Sequence, residues 1–221
     1  VPSKAGTLIR AQSLADYLFQ ELSFQGDVET YADPRNSYLN EVLERRKGIP
    51  ITLSVVYLAI AKRIDLPAQG VGLPGHFIVS IQGENDPLYL DPFHGGRRLT
   101  VIDCARLVEL STGYNGPFQP HWLKPASEKE ILARMLFNLR TIYINLDKWR
   151  MALPVVEHLK LLQPEQPDHL RDLGTIYRQN GKLGLALDYY AQYLQLAPHA
   201  PDADLVRRNY AETAEKLARR N

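Results

Sequence analysis

The feature that most constrains this chain lies in its second half. Leu139, Tyr143, Ala152 and Pro164 recur thirty-four residues later as Leu173, Tyr177, Ala186 and Pro198, and Leu136 maps onto Leu170. A repeat of this length that carries one small residue, one aromatic and a terminal proline encodes a pair of antiparallel helices. The Ala sits where the two helices cross closely, the Tyr fills the space between them, and the Pro stops the second helix. Gly174 belongs to the same pattern, but Arg140 stands at its counterpart, so the first copy is degenerate. A final helix, 203–219, carries Leu205, Val206, Tyr210, Ala214 and Leu217 on one face and is expected to cap the array.

Thirty-four residues is the tetratricopeptide period. The expected division is therefore a domain over 1–126, then two tetratricopeptide repeats with a C-terminal capping helix over 127–221. The Gly-, Pro- and aromatic-rich stretch Ser111–Pro125 is expected to be a packed joint. In repeats of this class the first helix of each pair lines a concave face. That assigns Phe137, Thr141 and Asn145 from the first repeat, and Arg171, Thr175 and Arg178 from the second, to a peptide-binding groove. Arg171 and Arg178, seven apart, share a stripe that suits a carboxylate.

The first half is organised around residues 48–91. Pro50 fits the first turn of a helix, and the nearly continuous apolar run from Ile51 to Ile64 predicts that this helix is buried on most sides. Gly75–Gln82 reads as a strand with His76, Ile78 and Ser80 on one face. Gly83-Glu84-Asn85-Asp86 reads as a hairpin turn, and Leu88–Asp91 as the returning strand that brings Asp91 beside His76. Amphipathic spacing over Leu8–Leu22 predicts an opening helix. A second helix from near Asp33-Pro34 is expected to turn Tyr38, Leu39, Val42 and Leu43 inward. A short helix follows Thr100.

A buried helix start followed by a His and an Asp is the ground plan of papain-like hydrolases. The blocks Asn36-Ser37-Tyr38-Leu39-Asn40, Val42-Leu43, Arg45-Arg46 and Gly48-Ile49-Pro50, with Leu73-Pro74-Gly75-His76-Phe77 and Leu90-Asp91-Pro92, resemble the SirB1 family. That resemblance implies an α+β transglutaminase-like domain of papain-like ancestry followed by an all-α tetratricopeptide-repeat domain. It also implies a catalytic Cys about seventeen residues before the Pro of a later turn. Counting back from Pro67 reaches Pro50, so His76 and Asp91 match while the nucleophile does not.

Thr52 and Ser54 are the hydroxyls near that helix start and stand as candidate replacements, although such residues more often cap or bond backbone. Asn36, Asn40 and Arg46 are candidate cleft residues, the two Asn being expected on one helical face. Cys104, the single cysteine, reads as a small core hydrophobe. His76, Asp91 and His94 together have metal-ligand chemistry, but the turn context argues against a metal, so neither metal nor cofactor is expected.

The formal net charge of +1 gives no electrostatic reason for nucleic acid or an anionic membrane. A lone Cys suits a reducing, cytoplasmic setting. The residues thus point to a non-catalytic, protein-binding adaptor. The alternatives are an amide hydrolase or acyl transferase using Thr52 or Ser54 with His76 and Asp91, and a purely structural scaffold.

Overall fold

The computed structural model describes residues 6–83 and 86–220. The chain divides into two compact units between Met135 and Leu136.

The first unit opens with α1 (Thr7–Asp16), whose last turn widens into a π turn over Tyr17–Glu21. The two-residue strand β1 (Gln25–Gly26) follows, then a 3-10 turn at Pro34–Ser37 and α2 (Leu39–Arg45). The two-residue strand β2 (Lys47–Gly48) pairs parallel with β1 and delivers the chain to α3 (Pro50–Arg63). An antiparallel sheet of β3 (Ala68–Val71), β4 (Ile78–Ile81), β5 (Leu88–Asp91) and β6 (Arg97–Leu99), in that order, is followed by α4 (Val101–Thr112).

Both faces of this sheet are covered. Val79, Ile81 and Leu90 pack with α1 and with Leu53, Val56 and Tyr57 of α3. Val71, Ile78, Tyr89 and Leu99 pack with Cys104, Leu107 and Val108 of α4. The aromatic stretch expected as a packed joint closes over that second layer. Phe118 and Trp122 lie against it, with ring centroids 5.3 Å apart. Burial on this scale is the main stabilising term for such a unit.

Several local expectations are corrected. β4 begins at Ile78, so His76 lies in the turn before the strand and not on a strand face. β3 and β6 were not expected. The second helix is broken at Tyr38, where the backbone is extended. Leu39 and Leu43 consequently point outward at 37% and 55% exposure, and Val42 alone of the α2 apolar residues is buried. The expected hairpin turn includes Glu84 and Asn85, which lie outside the described residues. β4 and β5 nevertheless pair antiparallel across it.

The second unit is all helix. It takes in the end of α5 (Glu128–Asn145), then α6 (Trp149–Leu162), α7 (Asp168–Gln179), α8 (Leu183–Leu196) and α9 (Ala203–Ala218). α6 and α8 each end two residues before the repeat proline. Ala152 and Ala186 are fully buried, and Leu139, Tyr143, Leu173 and Tyr177 are buried as the period requires. A Cβ on Gly174 would collide with the ring of Tyr190, so this glycine is needed for the close approach of α7 and α8. Arg140, at the corresponding place in the first repeat, instead donates from Nε to Asp172 Oδ2 at 2.6 Å. The buried face of α9 is Ala203, Val206 and Thr213, while Leu205 and Tyr210 of the expected apolar stripe are exposed.

Candidate functional site

The site grows from two turns. Gly75, at φ +70°, reverses the chain and places His76 just ahead of β4. The His76 backbone N–H donates to the Leu73 carbonyl at 3.2 Å. Arg134 of α5 clamps the same turn. Its Nη2 donates to the carbonyls of Leu73 (2.8 Å) and His76 (2.7 Å), and its guanidinium lies over the Phe77 ring, 5.5 Å from the centroid. At the end of β5, Asp91 caps the 3-10 turn Pro92–His94.

These two turns converge on one carboxylate. His76 Nε2 lies 2.9 Å from Asp91 Oδ1, and His94 Nδ1 lies 2.6 Å from Asp91 Oδ2. The imidazoles are stacked, with centroids 5.7 Å apart. Asp91 and His76 are buried, while the His94 side chain is 43% exposed. Arg97 reaches Asp91 Oδ2 at 3.5 Å from the solvent side. Burial by itself would push the Asp91 carboxyl up. The hydrogen bonds from His76 and His94, with the charges of both rings, outweigh it and hold the group below the usual carboxylate range. Phe93 stands edge-on to His76, His94 and Tyr31, which extends the site into an aromatic wall.

The candidate nucleophiles are elsewhere engaged. Thr52 Oγ1 donates to the Asn36 carbonyl at 2.8 Å and accepts the Ile49 N–H at 3.1 Å, which caps α3. Ser54 Oγ donates to the Pro50 carbonyl at 2.8 Å. Both residues have zero exposure. Cys104 is fully buried, and burial, together with the Asp103 and Asp91 charges, pushes its thiol up to about 11, so the thiolate that a nucleophile needs is suppressed.

Asn36, Asn40 and Arg46 are not brought together. Asn36 is buried, and its amide donates to Asp27 Oδ2 (3.1 Å) and the Thr30 carbonyl (2.8 Å). Asn40 is exposed on α2. Arg46 is the left-handed residue that ends α2 and donates to the Leu22 carbonyl. The arginine that does reach inward is its neighbour Arg45, bonded to Asn36 Oδ1 at 3.2 Å and paired with Asp27 at 3.4 Å. Sequence reasoning missed Asp27 altogether. Burial pushes its carboxyl up, yet hydrogen bonds from Thr30 and Asn36 bring it down to about 2. The signal was faint, an acid beside Gly26 with Thr30 three residues on. Arg134 was also missed, since nothing local marks its two carbonyl partners.

In the repeat unit, Phe137, Thr141 and Asn145 are exposed along α5. Arg171 and Arg178, expected to be open, are committed to α9 and its cap. Arg171 pairs with Asp202 at 2.6 Å and with Asp172 at 3.1 Å. Arg178 pairs with Glu212 at 2.6 Å and donates to Asn209 at 3.0 Å. Thr175 Oγ1 donates to the Arg171 carbonyl and accepts from the Tyr190 hydroxyl. The stripe that was to take a foreign carboxylate is occupied by the chain's own.

No helix among the described residues is long and apolar enough to cross a membrane. Comparison with known proteins agrees with this architecture. A family model described as the transglutaminase-like superfamily matches residues 1–137, and a tetratricopeptide-repeat model matches residues 139–210. A UPF0162 protein of Xylella fastidiosa (strain Temecula1) is 41% identical over 194 residues, spanning 86% of this chain and 69% of its own. One from Vibrio cholerae is 29% identical over 202 residues, spanning 90% and 73%. F-box only protein 21 of Pongo abelii is 33% identical over 135 residues, 57% of this chain and 20% of its own. No solved structure matches. With a transglutaminase-like domain followed by tetratricopeptide repeats, as the SirB1-like blocks implied, the chain belongs to the transglutaminase-like superfamily and to its UPF0162 members.

Proposed function

We propose that this chain is a transglutaminase-like pseudoenzyme that works as a cytoplasmic adaptor, binding a protein or peptide partner through its repeats. The observation that carries the reading is the state of the first turn of α3. Pro50 has no side-chain nucleophile and no amide hydrogen, and the two nearby hydroxyls are buried and spent on backbone carbonyls. Freeing Thr52 would leave the buried Asn36 carbonyl without its donor, at a cost of about 1–3 kcal/mol, and the Ser54 hydroxyl is turned back onto its own helix at the Pro50 carbonyl. His76 and Asp91 keep their pairing, but a general base needs a proton donor within reach. Tetratricopeptide repeats support protein binding, and the exposed stripe Phe137, Thr141 and Asn145 is the surface best suited to it. Neither the near-neutral charge nor the helices favour nucleic acid or membrane.

The test is a fluorophosphonate probe with mass-spectrometric mapping, alongside an amidase assay on general peptide substrates. The expected outcome is no labelling of Thr52 or Ser54 and no turnover above background. Stoichiometric labelling of either, abolished by His76→Ala, overturns the reading in favour of a Ser/Thr amide hydrolase or acyl transferase.

A further inference from the structure

We propose that His76, Asp91 and His94 form a binding site for a divalent first-row transition metal of the zinc class. Two imidazoles and one carboxylate are the donor set that borderline cations such as zinc take, with further positions left open. The three residues offer ligand atoms that all lie within 4.8 Å of one another. Two ligands of a tetrahedral zinc stand about 3.4 Å apart at the usual bond lengths near 2.1 Å. The widest separation therefore has to close by at most about 1.4 Å, which rotation of the exposed His94 ring can supply. The two His–Asp separations, 2.9 and 2.6 Å, already lie within that limit, and each imidazole nitrogen faces a different oxygen of the same carboxylate.

The surroundings hold these groups in place, as metal sites require. Arg134 pins the carbonyl of His76, and Asp91 caps the short turn that carries His94. Burial of Asp91 and His76 supplies a low-dielectric floor, and the exposed His94 side leaves the open positions toward solvent. Arg97 works against the ion, since its guanidinium sits 3.5 Å from Asp91 Oδ2. At 51% side-chain exposure it is free to swing away, and its removal should favour the metal. This assignment does not rest on the adaptor reading, because probe labelling and metal titration report on different groups.

The test is calorimetric titration of the full chain with zinc chloride in a non-chelating buffer, with thermal melting in parallel. One zinc per chain is expected, together with a rise in melting temperature. His94→Ala, at an exposed ring whose loss spares the core, should weaken zinc by about tenfold or more. His158→Ala, at an exposed histidine outside the set, should leave the affinity unchanged, and Arg97→Gln should tighten it. Absence of zinc-dependent heat and of any melting shift overturns the proposal. So does an affinity that His94→Ala leaves untouched or that His158→Ala lowers equally, since the ion would then sit on surface imidazoles.

Discussion

His76 and His169 are both buried histidines with an aspartate close by, and they are treated in opposite ways. In the first unit, His76 Nε2 meets Asp91 at 2.9 Å. In the repeat unit, His169 of α7 is 1% exposed, and neither ring nitrogen has a partner. The nearby carboxylate, Asp172, is already taken by Arg140 at 2.6 Å and Arg171 at 3.1 Å. A buried acid can satisfy only so many donors, and guanidiniums displace an imidazole because their charge is permanent and their fork fits two oxygens. Among the described residues no guanidinium reaches Asp91 from inside the core, and Arg97 approaches it from the solvent side. One site can therefore hold a poised polar cluster, while the other holds a neutral ring that packs as an apolar one.

The largest effect should come from breaking the paired case. Asp91→Ala strands two imidazoles, one of them buried, and should lower stability by about 3–5 kcal/mol in urea unfolding of the first unit's signals. A loss below about 1 kcal/mol would mean that the pairing contributes little. Arg140→Met comes next. It removes one of the two guanidiniums on Asp172, and because Arg171 remains, a loss of about 2 kcal/mol is expected. The smallest effect tests the orphan. Burial lowers the His169 pKa, and the Arg140 charge lowers it further against the pull of Asp172, Asp168 and Glu165. The unfolded chain then takes up its proton first, near pH 6.5. Stability is thus complete above that pH and falls as the pH drops toward the folded value, by at most about 1.4 kcal/mol per pH unit. His169→Phe should flatten the difference in stability between pH 7 and pH 5. An unchanged slope would place the acid sensitivity elsewhere.

The same contrast explains what was legible in the sequence. The α3 helix could be read because its apolar run is long and Pro50 marks its start. The repeats could be read because the small, aromatic and proline positions recur at fixed spacing. The His76–Asp91 pair followed from motif order. The strands β3 and β6 were missed because each is short, one carrying Gly70 and the other two consecutive arginines, so alternation is hidden. Thr52 and Ser54 could be weighed as caps or nucleophiles but not decided, since Asn36 lies sixteen residues from Thr52 and its carbonyl is a backbone group with no sequence signature. Arg171 and Arg178 looked open for a related reason. Their partners Asp202, Asn209 and Glu212 lie thirty-one or thirty-four residues on, beyond any local pattern.

That last arrangement sets the terms on which the arginine stripe can meet anything else. α9 follows α8 through only residues 197–202. A group on so short a tether competes as though present at roughly millimolar effective concentration. A free acidic peptide that offers a single carboxylate to Arg171 or Arg178 must bind more tightly than that before it registers. Weak monovalent ligands would be screened out, and only one that engages both arginines at once, or that docks beyond the stripe as well, would dislodge α9.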